Sequence, residues 1–523
     1  MNKHINKILI ASMAVAAASC TGAYEDINSN PYEPGDLSGD NYALVSQMNA
    51  IAGCVMSPQE NTAQFTEALL GGTLGGYFSD SNAGFTQSFA RYNAKNDWSR
   101  VFMKSDEIIP KLYSNLGGLK TSCDRNNTPG IYAIATIIKV AAMSRVTDTY
   151  GPIPFSSLDA FSTEVEVPYD SQEAIYREFF NQLTEAVNTL REHPNYLNPA
   201  ADYVYSGNVD QWIRFANSLK LRLAMRVSKV APALSKQMAE EAVAGGVIES
   251  NTDNAEWDYF GSITNGVYIS VNYNKGTSAT GGDTHAAADI ICYMNGYKDP
   301  RRAAYFIPSL FEGTEYVGLR RGWENYNSSW GFNFCGVNIK PNDPYIWMTA
   351  AEVAFLRAEG AAIHNYNMGG TAEQFYNRGI ELSFEQWGVS GAAEYIADAS
   401  SRPESYVDPT GLNPYTGTLS TITIKWDESA TTDAKLERII TQKWIALWLN
   451  GNEAWAEYRR TGYPKLIPVA FNGSGGIVNT AVGPQRLPYP QEEYTNNSYY
   501  VAQAVRDLLG GPDNQATKVW WAR

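Results

Sequence analysis

Histidine is almost missing from this chain, with four in 523 residues, and cysteine is nearly as scarce, with five. His193, His285 and His364 stand apart, and no His-Glu-x-x-His, Gly-x-Ser-x-Gly or phosphate-loop spacing occurs. That removes the sequence basis for a zinc hydrolase, a serine hydrolase or a nucleotidase. Cys54, Cys123, Cys292 and Cys335 form no Cys-x-x-Cys pair, so a zinc site is not indicated and isolated buried thiols are expected. Basic charge is also short. Forty Lys and Arg against 55 Asp and Glu leave a net −15, the wrong sign for a phosphate-binding face, so no nucleic-acid partner is expected. Beyond the N-terminus no stretch reaches the ~18 uninterrupted apolar residues of a membrane span. An EF-hand loop is absent too; no cofactor is expected, with a structural calcium ion on loop carboxylates left open.

Aromatics are plentiful: 33 Tyr and 13 Trp, in a chain that is 44% hydrophobic. That is ample for a large core, with rings to spare for binding platforms. The N-terminus has the form of an export signal. Lys3 and Lys7 precede an apolar run from Ile8 to Ala18, which ends in Ala17-Ala18-Ser19-Cys20. Small residues before a cysteine resemble a bacterial lipobox, so 1–19 is expected to be a lipoprotein signal peptide and Cys20 the lipidated residue. Acyl chains on Cys20 would anchor the protein to the outer membrane without a spanning helix. Residues 20–40, polar and proline-containing, read as a tether, and 41–523 as a single domain.

Helical periodicity dominates that domain. Ile175, Phe179, Leu183 and Val187 recur every four residues, and Trp212, Phe215, Leu219 and Leu223 mark another buried face. Long helical pairs are expected around 131–190, 209–244, 345–387 and 436–460. In the last pair Leu436, Ile440, Trp444, Leu447 and Trp448 share one face, and Asn450-Gly451 is expected to stop the helix with a left-handed glycine. About four stacked pairs suggest a mainly α, tetratricopeptide-like array. The array is interrupted by insertions near 249–343 and 395–430, rich in Gly, Asn, Ser, Thr and aromatics, which would form a large irregular loop face. Gly71-Gly72-Thr73-Leu74-Gly75-Gly76 lacks the spacing of a phosphate cradle.

Several stretches together resemble the SusD/RagB family of Bacteroidetes outer-membrane lipoproteins. They are the lipobox through Cys20, Glu25 to Pro31, Thr147 to Phe155, Trp212 to Arg222, Lys298-Asp299-Pro300-Arg301, Met348 to Glu359, and Ile440 to Pro464 with its Arg459-Arg460-Thr461-Gly462-Tyr463-Pro464 ending. They span nearly the whole chain in a fixed order. The one departure is the Tyr-Gly-Asp-Val/Ile-Pro-Tyr turn of the family, where this chain has Pro152 for the acid and Phe155 for the last tyrosine. The resemblance implies a helical fold with four tetratricopeptide-like units and a looped face opposite them. It implies a lipid-anchored protein facing the cell exterior, paired with a SusC-like TonB-dependent transporter as its lid. The lid captures an oligosaccharide, or in some members a peptide, and hands it to the barrel without covalent chemistry.

A sugar site needs a flat aromatic face with polar groups beside it. The 259–345 loop supplies Trp323, Asn325, Tyr326, Asn327 and Trp330, and a second candidate is Tyr77 with Asp80, flanked by Phe78, Asn82 and Phe85. The alternative for both is a hydrophobic cluster that pins a loop. A helical glycosidase is the reading from another class; it would need paired carboxylates, such as Glu352 and Glu359 seven residues apart on one helix. Arg357 and the apolar residues between them favour ion pairing instead. Trp98, Trp444, Trp448 and Trp455 read as core, and Arg459 and Arg460 as partners of helix-end carbonyls or of Glu453 and Glu457.

Overall fold

The computed structural model describes residues 39–523 except 100, 104–107, 163, 165, 196, 260–263 and 325–330. Cys20 and the tether through residue 38 therefore lie outside the described residues.

The chain begins with α1 (Gly39–Ala52), which packs on α2 (Ile108–Asn126). Helix α2 is absent from the sequence-based expectation. Its buried residues Ile108, Leu112, Leu116, Leu119 and Cys123 are periodic, but Gly117-Gly118 and a polar second half dilute the pattern. The expected pairs follow. Helix α3 (Pro129–Tyr150) starts with proline at its first turn and packs on α4 (Gln172–Glu192), whose N-terminus is capped by Ser171. Helix α3 alone among the described helices is long and apolar enough to cross a membrane, yet it is mostly buried inside the array. Helix α5 (Val209–Arg226), capped by Asn208, packs on α6 (Pro232–Gly245). Helix α7 (Ala350–Ile363) is capped by Thr349, and α8 (Ala372–Gln386) opens on a Thr371–Gln374 capping box. Helix α9 (Thr432–Ala446) and α10 (Gly451–Thr461) complete the series. Neighbouring pairs touch through α4 on α5, α5 on α7 and α7 on α9, which is the stacking that a repeat array requires.

Strands are few and short. β1 (Phe78–Asp80) pairs antiparallel with β3 (Thr284–Ala286), β2 (Ala255–Trp257) with β6 (Tyr345–Met348), and β4 (Phe306–Ile307) with β5 (Gly336–Val337). One of these corrects an expected helix: Tyr345–Met348 is extended rather than helical, since Thr349 caps the helix that follows it. The helix Ala288–Gly296 begins just after β3, whose residues Thr284–Ala286 pair with β1. The β1–β3 and β2–β6 ladders tie the 249–343 insertion to the scaffold, and β4–β5 pairs two strands within it.

The glycines at the first and last pairs have a packing role. The helix of Gln64–Gly72 crosses α10 at main-chain contact, and a Cβ on Gly451 would overlap the backbone of Gly71 and Gly72. A Cβ on Gly75 would lie 2.7 Å from the Gly451 carbonyl oxygen. Gly451 therefore opens α10 instead of ending α9; the left-handed residue at that corner is Leu449, with φ 74°. Gly462 supplies the left-handed stop of α10, at φ 78°.

The helix faces that meet inside the array are charged. Arg226 of α5 is salt-bridged to Glu453 and Glu457 of α10, both at 2.5 Å, and Arg222 grips Glu352 of α7 at 2.6 Å through two nitrogens. Lys443 of α9 reaches Glu457 at 3.1 Å. Asp148, at the end of α3, accepts from the Tyr176 hydroxyl at 2.5 Å and the Trp521 indole at 2.7 Å. Such ions stay charged in the interior only because each meets an opposite charge or a hydrogen-bond partner. Four helical pairs are thus stitched by one buried polar seam.

Candidate functional site

The site begins where β1 and β3 leave the scaffold. Asp80 stands opposite Thr284 in the ladder, and the pairing continues as Ser81 N–H donates to the Asp283 carbonyl at 2.6 Å. The Ser81 hydroxyl lies 2.8 Å from His285 Nδ1. Burial holds the His285 pKa down to about 3, so this imidazole is neutral and acts as a fixed polar strut.

Beyond that strut Asp283 is itself buried and ties down two amides that lie nearer the surface. One oxygen of Asp283 accepts from the side-chain amides of Asn82, at 2.9 Å, and Asn274, at 3.0 Å. Burial raises the Asp283 pKa, and the two amides pull it back. Asn274 sits in the left-handed region at φ 59°, a conformation that asparagine tolerates. Next to it Tyr273 is 48% exposed, and its carbonyl accepts the Asp283 N–H at 2.8 Å. Gly282 permits that closeness, because a Cβ there would overlap the Tyr273 carbonyl. The result is an exposed Tyr273 next in sequence to Asn274, whose amide and that of Asn82 are held by a buried carboxylate, on loops fixed at their base. These groups can stack on an apolar ring face and exchange hydrogen bonds with hydroxyls.

The sequence-predicted residues divide differently. Tyr77 is fully buried, stacked on Trp444 at 5.5 Å with its hydroxyl donating to the Trp444 carbonyl at 2.5 Å. Trp323 is 3% exposed, and its indole donates to the Asp80 carbonyl at 2.5 Å while the Arg91 guanidinium covers its ring at 4.5 Å. Asp80 is buried beneath them, and neither carboxylate oxygen meets a hydrogen-bond partner. Burial pushes its pKa up to about 6, against the opposing pull of Ser88 and Arg91. The structure brings Asp80 and Trp323 together but as interior groups; the expectation that Tyr77 and Trp323 present open stacking faces is corrected by their burial. Asn325, Tyr326 and Trp330 lie outside the described residues. Tyr273, Asn274 and Asp283 were not singled out in the sequence. Their only signal there was the glycine-rich loop 274–282 in which Asn274 sits.

The two carboxylates named for the glycosidase reading are ion-paired. Glu352 is held by Arg222 and Glu359 by Arg460, the latter through two bonds of 2.6 and 2.7 Å. Burial alone would raise the Glu359 pKa, but Arg460 and His364 hold it at about 2. Trp444, Trp448 and Trp455 are buried as expected, and Arg460 also pairs with Glu457 at 2.6 Å. Arg459 donates to the carbonyls of Asp148 and Gln485, at 2.6 and 3.0 Å. Four cysteines are buried free thiols. Among the described residues no group of three or more His, Cys, Asp or Glu side chains is arranged to hold a metal ion.

Stacked helical pairs carrying a loop-built face place the molecule in the class of helical-repeat proteins with an elaborated loop side. The chain belongs to the SusD/RagB family: the model of SusD-like Susd and RagB outer membrane lipoproteins matches residues 26–522. Among solved structures, a SusD homolog from Bacteroides uniformis is 56% identical, with 92% of this chain and 99% of that one covered and a TM-score of 0.89. A SusD homolog from Bacteroides thetaiotaomicron is 40% identical over 92% and 99% of the two chains, with a TM-score of 0.84. A chitin-binding SusD homolog from Flavobacterium johnsoniae is 37% identical over 92% and 98%, with a TM-score of 0.83. No curated protein matches the chain.

Proposed function

We propose that this protein captures an oligosaccharide at the cell surface and delivers it, as a lid, to a SusC-like TonB-dependent transporter. In this reading Cys20 carries the lipid that holds it on the outer membrane, facing outward. The observation that carries the proposal is the exposed Tyr273 ring beside the Asn82–Asp283–Asn274 hydrogen-bonded cluster. Carbohydrate recognition needs that combination. The chitin-binding relative, at 37% identity, adds support from within the family. The pairing of Glu352 and Glu359 with arginines favours capture over hydrolysis.

Titration calorimetry of the purified protein against a panel of oligosaccharides and peptides tests the ligand class. Oligosaccharide binding without release of reducing ends is expected. Retention on peptides alone overturns the glycan reading, and release of new reducing ends overturns the non-enzymatic one. Affinity isolation from outer membranes tests the lid: a large β-barrel transporter should accompany the protein, and its absence counts against delivery.

A further inference from the structure

A small cavity of about 30 Å³ lies inside the polar seam, between α3, α5 and α10. All of its lining residues are buried except Arg145 and Arg222, which are mostly covered. Four guanidiniums line it, from Arg145, Arg222, Arg226 and Arg459, against two carboxylates, Asp148 and Glu453. Most of that positive charge is matched by carboxylates in the wall or just behind it. Arg145 donates to both oxygens of Glu67 at 2.7 Å, Arg222 grips Glu352, and Arg226 is divided between Glu453 and Glu457.

Arg459 is the exception. Among the described residues it is the one lining cation with no carboxylate in salt-bridge contact. Its Nε donates to the Trp455 carbonyl at 3.3 Å, and its Nη1 serves the carbonyls of Asp148 and Gln485. The rings of Trp455 and Trp521, 3.6 and 4.9 Å away, cover the guanidinium. Burial pulls the Arg459 pKa down to about 9, and the Asp148 carboxylate opposes it only in part. That carboxylate is itself spent on Tyr176, Trp521 and Arg226. Nη2 of Arg459 and Nη1 of Arg222 meet no acceptor among the described residues. A buried cation in this state costs free energy that an opposite charge would recover. The space for that charge is small. A buried water takes up ~10–15 Å³, so the cavity fits one ion of chloride size with a water at most. An organic anion would need a path for the rest of its molecule, which the buried lining does not offer.

We propose that this cavity binds a monovalent inorganic anion, a halide such as chloride, with Arg459 as its principal contact. The ion is the counter-charge that Arg459 lacks, and it ties α10 to the walls made by α3 and α5. The site is separate from the Tyr273 surface and does not depend on the identity of the nutrient. A ligand that binds only the folded chain stabilises it by mass action, so the halide acts as a structural ligand of the helical array.

The test is thermal unfolding of the full-length protein dialysed into sodium gluconate, chloride or bromide at one ionic strength. Gluconate is too large for the cavity. As the more strongly excluded anion it should stabilise the fold at least as well as chloride when no site exists. With the site, about 0.2 M chloride should raise the midpoint above that in gluconate by about 1–3 °C, and bromide should do the same. Arg459→Met removes the cation and strands no carboxylate, so it should abolish the difference. Equal midpoints in gluconate and chloride, or a rise that Arg459→Met retains, overturns the proposal. Crystals of the parent protein grown in bromide decide the matter even where the variant does not fold. An anomalous peak in the cavity upholds the site; peaks only elsewhere, or none, overturn it.

Discussion

Arg460 and Glu359 face each other across two helices as a two-pronged pair, Nη1 to Oε1 at 2.6 Å and Nη2 to Oε2 at 2.7 Å, with both side chains buried. The pair joins α10 to α7, and through Glu457 the same arginine reaches back to its own helix at 2.6 Å. It explains why a double arginine ends the last helical pair: Arg460 neutralises carboxylates, and Arg459 satisfies carbonyls.

Arg460→Met strips Glu359 of its arginine in the interior, while Glu457 keeps Arg226 and Lys443, so it should cost about 3–5 kcal/mol in urea unfolding. The double change Arg460→Met, Glu359→Met should recover much of that loss, because no carboxylate is then stranded at Glu359. A double variant as unstable as the single would refute the charge account. Acid should act on the same pair. With Glu359 held at about 2, below the ~4.3 of a free glutamate, the unfolded chain binds more protons. The stability contributed by this group is present above about pH 4.3 and is lost as pH falls toward 2.

Asp80 should behave in the opposite sense. Its pKa is raised to about 6, above the ~3.9 of a free aspartate, so the folded state binds the extra proton. Stability should fall as pH rises from about 4 to about 6 and stay lowered above that. Asp80→Asn should raise the stability at pH 7.5 by up to about 3 kcal/mol and flatten this part of the profile. A variant less stable than the parent at pH 7.5 would contradict it.

Gly451→Ala introduces a methyl group into the Gly71–Gly72 backbone. Main chain moves less readily than a side-chain tip, so the expected cost is about 1–3 kcal/mol or more. Gly313→Ala is the comparison, since a Cβ at Gly313 meets nothing within 4 Å and its penalty comes only from φ 75°. Equal melting temperatures in the Gly451 variant and the parent would remove the close-approach explanation.

Trp323→Ala and Tyr273→Ala should separate architecture from binding. Truncating the buried Trp323 should cost about 3–5 kcal/mol of stability. Removing the exposed Tyr273 should leave the unfolding midpoint nearly unchanged and weaken oligosaccharide affinity by about 1–2 kcal/mol. Calorimetric titration and thermal unfolding of the same preparations check both.

The scaffold was legible because helix packing writes a long, repeated signal. Ile175, Phe179, Leu183 and Val187 are buried on α4 as their spacing indicates, and Ser171 caps the helix as its position suggests. Glu352 and Glu359 are ion-paired as expected, but not through the neighbouring Arg357, which pairs with Glu249; their partners Arg222 and Arg460 come from other helices. The loop face was less legible. Whether a ring in a glycine-rich insertion points inward depends on partners far away in sequence: Trp323 is buried because Asp80 and Arg91 meet it from more than 200 residues upstream. Tyr273 is exposed because Gly282 brings two loop arms together and leaves the ring outside. Neither fact has a local periodicity. Gly451 was misread for a related reason, since a glycine needed for close approach looks the same in sequence as one needed for a left-handed turn.

The contact of Gly71 and Gly72 with Gly451 also has a mechanical side. Where two main chains touch, no layer of rotatable side chains lies between them to take up a displacement. The early helix of Gln64–Gly72 and the last helical pair are therefore stiffly geared. A pull entering near the start of the domain reaches α10 undamped, and from there the Arg226 and Arg460 bridges spread it across the array.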